Sequence, residues 1–345
     1  MWNPKKKSEA LAKFKSFPYP KPGASDLLDS GPRIYAKRSF LQKVVFFVVL
    51  LLCFGFFLKH HTSSQSHHSK VVMIVASNDG GGVLDVKSSD QWILENISQK
   101  NKQEYAKRHG YDLVFKSEGM KRRYAHEWRE SWEKADYILE AMKNFPNAEW
   151  FWWLDLTTYI MEPQYSIEKH IINRLPKIAV RNITDPLEFN PRNYKQIPFV
   201  DYSEDINFIL GQDCNGFSLG SFIIRRSEWS KRLLDFLWDP AVYGQKHTEW
   251  PHDEQNVLEY FYEHNAWLRN GMAFVPLRTL NAYTRGACES DSSNPQFFYN
   301  HKQRDFLVNL AGCNYGRNCK EEIEYYRSIQ GSRSGFSKYF SFLSF

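Results

Sequence analysis

Apolar positions along this chain fall into three kinds of pattern, and each predicts a different element. The first is one long run, FLQKVVFFVVLLLCFGFFL at 40–58, broken only by Gln42 and Lys43 near its start. About 20 apolar residues cross a bilayer and slightly fewer suffice in a thin one, so the run predicts a membrane span. A cleaved leader would carry a shorter apolar stretch nearer the start. Lys37, Arg38 and Lys43 flank the run on its N-terminal side. Basic flanks stay in the cytosol, so 1–39 is expected there and the C-terminal mass on the lumenal side.

The second kind is the short continuous run. VVMIVAS at 71–77, followed by NDGGG, and EWFWWLD at 149–155 read as strands buried on both faces. The third kind is helical periodicity, at 88–109 and 127–145, with a short strand at 111–116 between them. Strand, helix, strand, helix, strand at this spacing predicts a parallel sheet with right-handed crossovers, a Rossmann-like nucleotide-binding half. Further strands are expected at 216–226, 272–277 and 306–312, helices at 228–238 and 252–264, and a closing helix at 320–329. The organisation is then a solvated tail at 1–39, an anchor at 40–58, a polar His-rich stem at 59–70, one folded domain at 71–330 and a tail at 331–345.

Charge sharpens this division. Of the formal net charge of +6 over 345 residues, residues 1–43 hold ten Lys/Arg against Glu9, Asp26 and Asp29, which leaves the remainder close to neutral. A nucleic-acid binder needs its positive charge on the folded domain, so no nucleic-acid partner is expected. Beyond Cys53 in the apolar run there are four cysteines, an even number for an oxidising compartment. Cys313 and Cys319 enclose a short loop and are expected to pair, as are Cys214 and Cys288; structural zinc would need paired short-spaced ligands that are missing. The sequons Asn96-Ile97-Ser98 and Asn182-Ile183-Thr184 are compatible with a lumenal domain.

Open parallel sheets bind ligands at the carboxyl ends of their strands, which directs attention to three junctions. Ala76, Ser77 and Asn78 lead into a glycine-rich turn that lets backbone N–H groups approach a ligand, although NDGGG is not the GxGxxG of a dinucleotide site. Asp155-Leu156-Thr157 ends the EWFWWLD strand: residues i and i+2 lie on one side of the chain and can hold a divalent ion, or Asp155 caps the following turn. Trp250-Pro251-His252-Asp253-Glu254-Gln255 opens a helix, where acids are favoured by the backbone dipole and also suit hydrogen bonding to sugar hydroxyls. No G-x-S-x-G elbow accompanies Ser218 or Ser221.

The blocks VVMIVASNDGGG, NKQEYAKRHGYDL, HEWRESWEKADYI, FPNAEWFWWLD, QDCNGFSLGSFIIRRSEWS and LVNLAGC resemble, in order and spacing, glycosyltransferase family 34, the galactosyl and mannosyltransferase group, most nearly its fungal α-1,6-mannosyltransferase branch. The resemblance covers about 71–330. It implies a GT-A fold, a type II Golgi membrane protein, GDP-mannose as donor, Mn2+ as cofactor, retention of configuration, an N-glycan mannan acceptor, and partner mannosyltransferase subunits of a Golgi mannan polymerase complex. By the same resemblance Asp155 matches the first acid of the DxD motif, Thr157 stands where the second is expected, and Asn309 stands where many relatives have a metal-binding His. Asp253, Glu254 and Gln255 match the acidic pair and amide beside the reacting sugar, Gly220 and Ser221 the block lining the sugar pocket, with Ser218 in place of an expected Asn. Ala76, Ser77 and Asn78 match the nucleotide-side strand end. The departures at Thr157 and Asn309 give an alternative, a structural subunit of the complex without catalysis; a mannan-binding module without transfer activity is the other.

Overall fold

The structure is a computed structural model and describes residues 45–50, 70–78, 88–118, 133–183, 199–237, 239, 241, 253–288 and 293–341. The chain divides into two compact units, 1–65 and 66–345. In the first, 45–50 are helical. The expected span at 40–58 otherwise lies outside the described residues, among which no helix is long and apolar enough to cross a membrane. Also outside them are residues 79–82 of the NDGGG turn and Trp250, Pro251 and His252.

The second unit begins with β1 (Val71–Asn78), α1 (Ser89–His109), β2 (Asp112–Glu118), α2 (Glu133–Asn144) and β3 (Trp150–Asp155). β1 pairs in parallel with β2 on one side and β3 on the other, as the alternation of patterns predicts. Ser88 caps α1 reciprocally with Gln91, and Gly110 closes it in the left-handed region at φ 71°. Both strands with continuous apolar runs are buried on both faces. Val72, Ile74, Phe151 and Trp153 join one core, whereas Val71, Met73, Val75 and Trp152 join the other.

Next come β4 (Thr158–Ile160), short helices α3 (Ile167–His170) and α4 (Leu175–Ile178), β5 (Phe208–Asp213), β6 (Gly216–Arg225), α5 (Glu228–Leu237), α6 (Asp253–His264), α7 (Ala266–Gly271), β7 (Met272–Phe274), α8 (Leu277–Leu280), β8 (Ala282–Tyr283), β9 (Leu307–Asn309) and α9 (Cys319–Ser341). The main sheet has the order β2-β1-β3-β6-β5-β7, and β4-β9-β8 form a smaller one. In the main sheet only β6 runs against the rest, so the sheet is mostly parallel, with helices on its faces. One core packs it against α2, α5, α6 and α7; the other takes α1 and the 160–175 region.

Two expected strands are shorter than the sequence suggested. The strand expected at 272–277 stops at Phe274 because Pro276 starts α8 and has no N–H for a ladder. The strand expected at 306–312 keeps only Leu307–Asn309, since the Leu310 N–H turns to the Thr157 carbonyl and Gly312 adopts φ 69°. β4, β5, β8 and the short helices were not anticipated. Both expected disulfides are present, Cys214–Cys288 and Cys313–Cys319.

The α2–β3 connection is held by Arg226, whose guanidinium donates to the carbonyls of Met142, Phe145 and Ala148 and stacks over Phe151. Replacing Arg226 by Met leaves those carbonyls unpaired. The expected loss is about 3 kcal/mol, read as a lower denaturant midpoint at unchanged slope.

Candidate active site

β3 delivers Asp155 to the carboxyl end of the main sheet, beside Ala76 of β1 in parallel register. One oxygen of its carboxylate is fixed from two sides. Oδ1 accepts from Trp153 Nε1 at 2.7 Å and lies 3.8 Å from Lys134 Nζ. Oδ2 instead faces β6: a β-carbon built on Gly220 would stand 3.3 Å from it, 3.3 Å from Asn281 Nδ2 and 2.3 Å from Asn309 Nδ2. Crowding by protein pushes the Asp155 carboxyl up from the ordinary Asp range, opposed by Lys134 and by the Trp153 hydrogen bond. About a third of the side chain, 35%, nevertheless stays open to solvent.

Gly220 reaches this place because β6 is irregular there. Ile209 of β5 faces Ile223, yet Gly211 faces Ser218, so two steps along β5 match five along β6. The surplus residues include Gly220 and Ser221, a bulge of the kind that re-aims a strand beside a site. The Ser221 hydroxyl is buried and accepts from Trp152 Nε1 at 2.9 Å, which leaves the backbone of this segment to face a ligand.

Lys134 of α2 joins the two predicted clusters. Its ammonium lies 2.9 Å from Glu254 Oε1, 3.4 Å from the Leu219 carbonyl and 3.8 Å from Asp155, and sits over the Trp153 ring. Lys134 therefore links Asp155 and Glu254 at the start of α6. Gln255 is adjacent but partly committed, its amide nitrogen donating to the Asn215 carbonyl at 2.9 Å and to Glu259 at 3.1 Å. The side chains of Asp253, Ser77 and Asn78 lie outside the described residues.

The expected metal set also meets, in an altered form. Thr157 Oγ1 donates to Asn309 Oδ1 at 3.0 Å, and the Asn309 side chain is buried. Two of the three oxygens are thus spent on each other, and Asp155 remains the one anionic ligand of the set. Among the described residues no group of three or more His, Cys, Asp or Glu side chains could hold a metal ion. Such a donor set fits an ion that takes most of its ligands from water and diphosphate oxygens.

Three residues that sequence reasoning passed over belong to this region. Lys134 and Lys102 lie inside helical blocks, where a lysine ordinarily marks a solvated face. The periodicity at 88–109 and 127–145 carries no mark that sets either lysine apart from a solvated one. Asn281, fully buried, donates to Ser218 Oγ at 2.7 Å, and Ser218 contacts the Tyr283 hydroxyl, which donates to Asp213. Burial pushes the Asp213 carboxyl up, against the pull of its Tyr283 and backbone hydrogen bonds. This network lies under the β5–β6 turn and is closed by the Cys214–Cys288 disulfide. A cavity of about 720 Å³ opens elsewhere, at the opposite ends of β1 and β3, lined by Lys70, Trp150, Arg181, Tyr202 and Arg225; it is remote from Asp155.

Comparison with known proteins gives the family. The chain belongs to the galactosyl transferase GMA12/MNN10 family, whose model matches residues 67–320, and so to the glycosyltransferases. It is 67% identical, over 99% of this chain and 100% of the relative, to a Schizosaccharomyces pombe protein named an uncharacterized alpha-1,2-galactosyltransferase. It is 50% identical, over 75% of this chain and 66% of the relative, to the Saccharomyces cerevisiae protein named "Probable alpha-1,6-mannosyltransferase MNN10". A solved glycosyltransferase involved in glycosylation of the major capsid of PBCV-1 aligns with 75% of this chain and 98% of its own at 14% identity and TM-score 0.47.

Gly220→Ala tests the convergence of Asp155, Gly220 and Asn309. The added methyl must displace the Asn309 amide and break its bond to Thr157, so glycosyl transfer is expected to fall about 100-fold. Steady-state assay of the purified variant checks this.

Proposed function

We propose that this chain is a retaining α-1,6-mannosyltransferase of GT-A type, anchored in the Golgi membrane, which transfers mannose from GDP-mannose to the mannan backbone of N-glycans as a subunit of a mannan polymerase complex. The observation that carries the reading is the Lys134 ammonium between Asp155 and Glu254, which brings a carboxylate suited to a diphosphate and an acid suited to a hexose into one site. The name of the Saccharomyces cerevisiae relative supports the mannose donor and the linkage; that of the Schizosaccharomyces pombe relative favours galactose.

In this mechanism the Lys134 ammonium supplies positive charge on the diphosphate side that stabilises the departing GDP, and Asp155, itself an anion, acts there as a ligand for a cation. A Mn2+ ion, held by Asp155 with Thr157 and Asn309, would neutralise charge on the diphosphate. Asp253 or Glu254 steadies positive charge developing on the mannose ring, or acts as nucleophile in a double displacement. Gln255 and the Gly220-Ser221 backbone orient the sugar. The acceptor 6-hydroxyl forms the new bond at the anomeric carbon as the bond to GDP breaks, and its proton passes to a leaving phosphate oxygen.

The bond between Thr157 and Asn309 favours a second reading, a subunit that supports partner mannosyltransferases without its own catalysis. One assay separates the readings. The purified chain, alone and with its complex, is given GDP-mannose or UDP-galactose and a mannose oligomer, and the product linkage is mapped. α-1,6-linked mannose is expected, with activity falling at least about 100-fold in Asp155→Ala; transfer unaffected by that change assigns catalysis to a partner. Thr157→Asp adds the second carboxylate and is expected to lower the Mn2+ concentration for half-maximal rate, read by metal titration.

A further inference from the structure

The turn that carries Asp155 and Thr157 is gripped from beneath by a polar strip on α1. Ser98, Asn101 and Lys102 are spaced i, i+3 and i+4, so they share one face of the helix, and all three are buried. Each takes one carbonyl of the segment that follows Asp155. Ser98 Oγ donates to the Leu156 carbonyl at 2.5 Å, Lys102 Nζ to the Thr158 carbonyl at 2.6 Å and Asn101 Nδ2 to the Ile160 carbonyl at 3.0 Å. Asn101 also accepts from the Ile160 N–H at 2.8 Å, and Lys102 donates to Ser98 Oγ at 2.6 Å, which links the members of the strip. The other side of the turn is closed by Thr158 Oγ1 on the Asp155 carbonyl and by the Leu310 N–H on the Thr157 carbonyl.

A fully buried lysine is a costly way to hold two oxygens. Removing an ammonium from water is strongly opposed, and the oxygens that Lys102 Nζ meets, those of Ser98 and Thr158, carry no formal charge to offset it. Burial correspondingly pushes the Lys102 amine down to about 7, and the one carboxylate whose field opposes that shift is Asp155. The same field favours the ionised form of Asp155. A group that is expensive for the fold and aimed at the turn of a site is expected where position matters more than stability.

We propose that Lys102, with Ser98 as its relay to Leu156, is a positioning residue that fixes the Asp155-Leu156-Thr157 turn in the geometry needed to hold the donor diphosphate. The inference rests on the glycosyl-transfer reading of this site and deepens it: with Thr157 bringing no charge, Asp155 works as a lone carboxylate and tolerates little displacement. A shift of about 1 Å at such a group costs on the order of 100-fold in rate.

Lys102→Met tests this in the full-length chain, because it removes the donors and the charge at similar volume. The expected result has two parts: kcat falls between about 10-fold and 100-fold with the acceptor KM unchanged, and the GDP Kd measured by calorimetry with Mn2+ rises about 10-fold; the thermal midpoint falls somewhat, because the buried Thr158 carbonyl loses its donor, so both are measured well below it. A merely structural lysine lowers the midpoint and leaves the kcat and GDP Kd of the folded variant unchanged. That result overturns the proposal, as does a variant with unchanged GDP Kd. Ser98→Ala, compared with Asn96→Gln because both abolish the sequon at Asn96, guards against a Met variant that does not fold; relative to Asn96→Gln it is expected to raise the GDP Kd in the same direction by a smaller factor, and an unchanged Kd counts against the relay. A wild type that binds GDP yet transfers no sugar defeats the functional reading while the comparison of Kd values still decides the clamp. One that binds no GDP removes both.

Discussion

The Lys134 ammonium is the contact on which the site depends. Three elements far apart in sequence end around it: β3 brings Asp155, β6 brings the Leu219 carbonyl and α6 brings Glu254. Two carboxylates facing one cleft repel each other, and a single cation between them turns that repulsion into a bridge. It also sets their division of labour. Lys134 and Trp153 occupy the Oδ1 side of Asp155, so Oδ2 is the oxygen turned toward Gly220 and Asn309.

Around that bridge the fold uses rigid supports. The β6 bulge moves Gly220 next to Asp155, the small β4-β9-β8 sheet brings Thr157 and Asn309 together, and α1 holds the turn from below. Thr157 and Asn309 satisfy each other where the resemblance leads one to expect a second acid and a histidine, so Asp155 is the one fixed negative charge of that trio. The consequence is a site that leans on lysines for its electrostatics: Lys134 at the surface of the cleft and Lys102 beneath it.

How much of this was legible in the sequence follows from what periodicity records. β1 and β3 were clear because burial on both faces writes a continuous apolar run, and α1 was expected from the helical patterning at 88–109. Strand direction leaves no such mark, so the reversal of β6 and its surplus residues could not be read from GFSLGSFIIRR. β4, with three residues, is too short to show a period, and the strand expected at 272–277 gave way to the start of α8 at Leu277. Asp155 and the 253–255 cluster were visible as acids at element ends. Lys134 and Lys102 were not, because in a helix the same residue type serves a solvated face far more often than a buried contact.

The central claim is that donor diphosphate and donor hexose lie in one continuous site across the Lys134 bridge. A crystal structure of the chain with GDP-mannose and Mn2+ tests it most directly. The diphosphate should lie against Asp155 and the mannose ring within hydrogen-bond distance of Glu254 or Gln255. Nucleotide bound instead at the far end of β1 and β3, in the cleft lined by Lys70, Trp150 and Arg225, would contradict the account.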